Sequence, residues 1–209
     1  MPPVRLSPGA ADALLFDLGR VVINIDFGKA LSCWAAHAGC AASDLATRFT
    51  LDESYRRYET GKLSDAEYFQ CLRASLGITI SDNQFLEGWN AIFAGEMPDI
   101  ANLLARAGKR LPVYAFSNTN RPHVEYMTKA YADVLGHFRE VFLSSTIGLR
   151  KPDASAYDHV VKAIGVPAPR IVFFDDLADN VEGARAVGIH AVHVRSSADI
   201  AEALDALGI

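Results

Sequence analysis

At 209 residues the chain is long enough to bury a sizeable core, as one large domain or as one domain with an insert. Half of the residues are apolar and the net charge is −5, so nothing in the charge balance favours nucleic acid or an anionic membrane as partner. A phosphate-bearing ligand would need local cationic groups to overcome that balance. Met1-Pro2-Pro3-Val4-Arg5 lacks the pattern of a secretory signal, and no apolar run approaches the ~20 residues that cross a bilayer. Cys33, Cys40 and Cys71 contain no CxxC pair and are expected as reduced thiols in a cytoplasm.

Residues 1–12 read as a short leader with a poorly ordered start. Leu14-Leu15-Phe16-Asp17-Leu18-Gly19 lies in an apolar run, strand one over 13–18, that ends at a carboxylate and a turn signal. From 27 to 95 helical periodicity takes over. One helix begins at Phe27 and ends at Gly39, and another carries Tyr55 and Tyr58 and stops near Gly61. Ser64 with Glu67, and Ser81 with Gln84, are capping-box signatures. The first opens a helix with Tyr68, Phe69, Leu72 and Leu76 on one face, closed by Gly77; the second precedes Phe85, Trp89, Ile92 and Phe93. A connection this long has its own structure or function, and 27–95 is expected to be a small helical insert.

After a helix at 98–108 the alternation becomes regular. Strands are expected at 111–116, 140–144, 170–174 and 189–194, and helices at 121–135, 154–165, 178–187 and 198–207. This pattern predicts an α/β fold, a doubly wound parallel sheet formed by 1–26 and 96–209.

Four strand ends bring polar groups to one rim of that sheet, where open α/β sheets bind ligands. Strand one delivers Asp17, which on its own also suits a turn or a cap. The next strand runs into Ser117-Asn118-Thr119-Asn120. Ser117 offers a hydroxyl to an anionic oxygen, and Thr119 or Asn120 caps the following helix with Pro122 in its first turn. Lys151 lies before a helix that Asp153 is placed to cap; it is either a surface lysine or the partner of a carboxylate or phosphoryl oxygen. Asp175 and Asp176 end a strongly apolar strand. They either complement a helix dipole or, with Asp17, form a cluster that requires a cation or a raised pKa. An all-oxygen set without His or Cys suits Mg²⁺ better than zinc. Asn180 falls on the face that would orient the Asp176 carboxylate.

This ordered set resembles the haloacid dehalogenase superfamily, with its nucleophile, its two phosphate-binding loops, its acidic pair and a helical cap. Phe16-Asp17-Leu18-Gly19, Ile25-Asp26-Phe27, Gly88-Trp89-Asn90, Ser117-Asn118-Thr119-Asn120-Arg121, Arg150-Lys151-Pro152 and Phe173-Phe174-Asp175-Asp176 are similar to the bacterial α-D-glucose-1-phosphate phosphatase group. The resemblance implies a Rossmann-like core and a Mg²⁺-dependent phosphatase acting on a small phosphorylated metabolite, such as a sugar phosphate. It further implies that Asp17 is nucleophile and metal ligand, forming an aspartyl-phosphate that water hydrolyses. The Gly19 carbonyl and Asp176 would complete the metal site with Asp175 beside it, while Ser117, Asn118 and Lys151 would hold the phosphoryl oxygens.

The departure from the pattern is Gly19, where most phosphatases of the superfamily carry a second aspartate as general acid and base. Its loss would cost ~10²–10⁴ in rate. An anomeric sugar oxygen, a better leaving group than an ordinary alkoxide, would soften that loss. Asp26 is a candidate substitute, or else a hinge or cap residue. Two alternatives remain: a metal-independent 2-haloacid dehalogenase, against which Asp175-Asp176 argues, and a catalytically idle binding module. Trp34, Tyr55, Trp89 and Phe93 are expected in the core, and Arg56 and Arg57 in solvent.

Overall fold

A computed structural model describes residues 6–209 of the chain. The start of the expected leader lies outside the described residues. The remainder is anchored, because Arg170 donates to the Asp12 carboxylate at 2.6 and 2.8 Å and to the Gly9 carbonyl at 2.7 Å.

The chain begins with β1 (Ala13–Phe16) and the short β2 (Ile23–Ile25). Five helices follow: α1 (Phe27–Ala38), α2 (Ala42–Ala46), α3 (Glu53–Glu59), α4 (Asp65–Leu76) and α5 (Asp82–Asn90). Then come β3 (Phe93–Glu96), α6 (Ile100–Gly108), β4 (Val113–Ser117), α7 (Arg121–Ala130) and α8 (Ala132–Leu135). The last third is β5 (Glu140–Leu143), α9 (Ser144–Ile147), α10 (Ala154–Ile164), β6 (Ile171–Asp175), α11 (Ala178–Ala186), β7 (His190–His193) and α12 (Ser197–Leu207).

The main sheet is parallel, in the order β5-β4-β1-β6-β7. Strand alternation divides its side chains between two cores. Leu14, Phe16, Val113, Ala115, Val172 and Phe174 pack with α6, α7 and α12 on one face. Leu15, Tyr114, Phe116, Ile171 and Phe173 pack with α10 and α11 on the other. The chain leaves β1 to opposite sides through β4 and β6, so the crevice beyond their C-terminal ends is the switch point of the fold.

The insert has its own aromatic core, in which Trp34 stacks on Phe85 at 4.7 Å and Tyr58 on Tyr68 at 4.3 Å. Both expected capping boxes form, and Gly39 and Gly77 close their helices in the left-handed region. One element differs from the sequence pattern. Ile92 and Phe93 do not extend α5, which ends at Asn90; β3 instead pairs antiparallel with β2, Ile25 opposite Phe93 and Ile23 opposite Glu96. This ribbon joins the entry and exit of the insert, a long-range pairing that local periodicity does not carry. The expected helix 121–135 is likewise broken at Tyr131 into α7 and α8.

Candidate active site

Asp17 follows the last residue of β1, held there by its backbone N–H donating to the Phe174 carbonyl at 2.8 Å. Ser117 ends β4 and Asp175 ends β6, so three adjacent strands deliver three polar side chains to one rim. Lys151 reaches the same point from the loop before α10. Its ammonium donates to Asp17 Oδ1 at 2.6 Å, to Asp175 Oδ2 at 2.7 Å and to the Phe116 carbonyl at 2.8 Å. All three donors are occupied, and the Phe116 and Phe173 rings flank the charge at 5.2 and 5.1 Å. Lys151 is not a surface residue: it is only 1% exposed.

Asn180 acts differently from the expectation, and Asn118 makes a contact that the sequence does not signal. The Asn118 side chain accepts from the Lys151 N–H and donates to the Lys151 carbonyl, both at 2.9 Å. Its amide thus bolts the Lys151 loop to the end of β4 with its carbonyl oxygen and one of its two N–H groups. Asn180 donates to both oxygens of Asp175, at 3.0 and 3.1 Å, rather than to Asp176. Asp175 Oδ1 also accepts from the Leu177 N–H at 2.9 Å. The Asp175 carboxylate is therefore saturated by protein donors, whereas Asp176 has no ion-pair partner among the described residues.

The electrostatics leave room for a cation. Carboxylate oxygens of Asp17, Asp175 and Asp176 all lie within 4.8 Å of one another, with Lys151 as the buried counter-charge. Burial pushes the Asp17 carboxyl up to about 7, with Lys151 opposing it and Asp175 adding to it. Burial and Asp175 also raise Asp176. For Lys151, burial pulls downward, but the two carboxylates outweigh it and hold the ammonium charged. The Gly19 carbonyl accepts no hydrogen bond among the described residues. The clustered carboxylates are an all-oxygen donor set of the kind a hard divalent cation takes.

A cavity of about 400 Å³ opens from this rim between the core and the insert. Its lining includes Tyr55 and Phe93, which the sequence placed in the core; each is half-buried with one side toward the cavity. Trp34 and Trp89 are core residues as expected, and Arg56 and Arg57 are exposed. Asp26 caps α1 by accepting from the Gly28 N–H at 2.8 Å. Asn120 caps α7, and the Asp153 side chain does not cap α10.

Several residues at the site gave no sequence signal. Ser144 accepts from the Thr119 N–H at 2.9 Å and donates to its carbonyl at 3.1 Å, fixing the turn after Ser117. His123 stacks on Trp89 at 4.7 Å, donates from Nε2 to the Trp89 carbonyl at 2.9 Å and accepts at Nδ1 from Asn120 at 3.0 Å. Trp89 Nε1 donates back to Asn120 Oδ1 at 3.1 Å. Arg150 pairs at 3.1 Å with Glu59 of the insert, a carboxylate that is itself 3% exposed. Apart from Asn120 and His123, which are three residues apart, these partners lie 25–91 residues apart in the chain, beyond the reach of any motif.

Residues 11–188 match the family of haloacid dehalogenase-like hydrolases. The chain belongs to this family. A phosphatase of Mycobacterium tuberculosis is 30% identical, with 88% of each chain covered. A sesquiterpene phosphatase of Aspergillus oryzae is 28% identical over 82% of this chain and 88% of its own. A drimenol cyclase of Aspergillus calidoustus is 30% identical over 86% of this chain, which spans only 33% of that longer protein. Among solved structures, a haloacid dehalogenase family enzyme of Bacteroides thetaiotaomicron, in complex with magnesium and inorganic phosphate, superposes with a TM-score of 0.77. It is 25% identical, and the match covers 89% of this chain and 95% of that one. No helix among the described residues is long and apolar enough to cross a membrane.

Proposed function

We infer that this hydrolase is a Mg²⁺-dependent phosphatase that transfers the phosphoryl group of a small monoester to Asp17 and then to water. The observation that carries the reading is the joint hold of Lys151 on Asp17 and Asp175, with Asp176 alongside at the mouth of a cavity. Lys151 fixes Asp17 Oδ1, which leaves Oδ2 to attack phosphorus as the bond to the alcohol oxygen breaks. Water then cleaves the aspartyl-phosphate, releasing inorganic phosphate and restoring the carboxylate. Ser117 and the N–H groups of the turn that Ser144 braces would bind the phosphoryl oxygens, with Asn118 holding Lys151 in place. Asp17, Asp176 and the Gly19 carbonyl would hold Mg²⁺, which supplies charge neutralisation at the phosphoryl group. Asp175 would position Lys151 rather than bind the metal directly.

The leaving alkoxide must take its proton from water, because Gly19 offers no acid. The sugar 1-phosphate that the sequence resemblance implies would ease that departure through its anomeric oxygen, but the leaving group alone does not choose the alcohol. The names of the relatives support the reaction more than any one alcohol.

The test is phosphate release from p-nitrophenyl phosphate with and without Mg²⁺. Asp17→Asn is expected to lower kcat by ~10³-fold or more, the scale on which loss of a covalent nucleophile acts. Chelation with EDTA should abolish turnover of the wild type, and added Mg²⁺ should restore it. Unchanged release by a clean Asp17→Asn preparation would sink the assignment.

A further inference from the structure

Beyond the phosphate end, much of the cavity wall is apolar. Ile23 and Ile25 of β2, Phe27 of α1, Leu51, Phe93 of β3 and Met127 of α7 line it. Leu51 and Leu177, both on this lining, keep 48% and 54% of their surface in solvent. Exposed apolar side chains grouped at the mouth of a concave site mark a surface that a ligand covers.

Most of the charged and amide groups on the same walls already have partners. Arg150 and Glu59 neutralise each other, and both ring nitrogens of His123 are occupied. Asn118 is bound to the Lys151 backbone and Asn180 to Asp175. The lining charges without an ion pair among the described residues are Arg20 and Asp176, which adjoin each other at the phosphate end.

We propose, resting on the phosphatase reading above, that the substrate is a phosphate monoester whose alcohol is an extended apolar chain rather than a polyhydroxylated sugar. A sugar hydroxyl brought against the apolar side chains of these walls would leave water without gaining a partner. A methylene brought to the same place gains from burial, about fourfold in affinity for each one removed from water. The proposal departs from the sugar phosphate implied by the sequence resemblance, and it does so on the apolar walls of the cavity, where Ile25 and Phe27 belong to the shared motifs but Ile23, Leu51, Phe93 and Met127 do not.

The experiment compares kcat/KM, with saturating Mg²⁺, for ethyl, butyl, hexyl and octyl phosphate against glucose 1-phosphate and glucose 6-phosphate. p-Nitrophenyl phosphate serves as the general probe of phosphatase activity, with Asp17→Asn as its control. The expected result is a rise of about fourfold per methylene along the alkyl series, with octyl phosphate ahead of both sugar phosphates. Leu51→Asn, at an exposed position the fold tolerates, should lower the octyl-to-ethyl ratio by about tenfold. A flat series, a preference for a sugar phosphate, or an unchanged ratio in Leu51→Asn overturns the apolar substrate. If p-nitrophenyl phosphate is still hydrolysed in an Asp17-dependent way, the phosphatase reading survives that outcome. Absence of any Asp17-dependent turnover removes both.

Discussion

Gly19 is the residue at which this site departs from the pattern that the sequence resemblance implies, and the structure shows that a glycine there is not a steric necessity. A Cβ at position 19 would meet Ile25 Cγ1 at 3.6 Å and Asp17 Oδ2 at 3.8 Å, ordinary van der Waals contacts. Gly19 is not among the glycines that need a positive φ. Gly19→Asp should therefore fold normally and place a carboxyl group where the leaving oxygen departs. Its benefit should fall on poor leaving groups, since general acid catalysis contributes ~10²–10⁴ where the alcohol is a weak acid. The expected outcome is a gain in kcat of about tenfold or more on an alkyl phosphate and little change on p-nitrophenyl phosphate. Steady-state kinetics on the two substrates checks it; equal effects on both would mean that the new carboxyl does not act as an acid. The rim itself was largely legible at this scale, because Asp17, Ser117, Lys151, Asp175 and Asp176 each sit where a periodic run ends. What Asn118 and Asn180 do was not legible: their partners are backbone and carboxylate groups on other loops.

Among the elements, α1 and α5 depend on one glycine. A Cβ at Gly88 would lie 2.2 Å from Trp34 Nε1 and 2.3 Å from its Cδ1, so the two helices approach only because that position is bare. Trp34 Nε1 donates to the Phe85 carbonyl at 2.9 Å, and its ring stacks on Trp89 at 6.1 Å. Moving the indole would break both. Gly88→Ala raises helix propensity yet overpacks the joint, and the net cost should be about 1–3 kcal/mol. A lower urea midpoint for the variant would bear this out; an unchanged or higher midpoint would show that the joint relaxes freely. Helix ends were well signalled because their chemistry is local: Ser64 with Glu67 and Ser81 with Gln84 form the boxes their spacing predicts. The strand at Phe93–Glu96 was not signalled, since it exists only by pairing with Ile23–Ile25 some seventy residues earlier.

At the scale of the whole molecule, the insert and the core are held together by Glu59–Arg150, by Asp65–Arg121 and by the Trp89–Asn120–His123 network. His123 makes this junction sensitive to pH. Burial lowers its pKa from 6.5 to about 4, against a smaller upward pull from the Trp89 carbonyl. The unfolded chain therefore takes up a proton between these values while the folded chain stays neutral. His123 contributes its full stability above pH 6.5 and loses it as the pH falls toward 4. The loss should reach about 2 kcal/mol by pH 5. Denaturant titrations at pH 7.5 and pH 5 should show this decrement in the wild type and a smaller one in His123→Gln. Equal decrements would assign the acid sensitivity to other groups.

By itself the sequence determined the alternation of strands and helices, the helix caps and the polar rim of the sheet. Each of these is written in a local period or in a residue type at the end of one. The tertiary structure alone decided which groups meet: Lys151 on Asp17 across 134 residues, Asn180 on Asp175, Tyr55 and Phe93 on the cavity wall. Contacts of that range depend on how the sheet and the insert pack, and no local pattern records them.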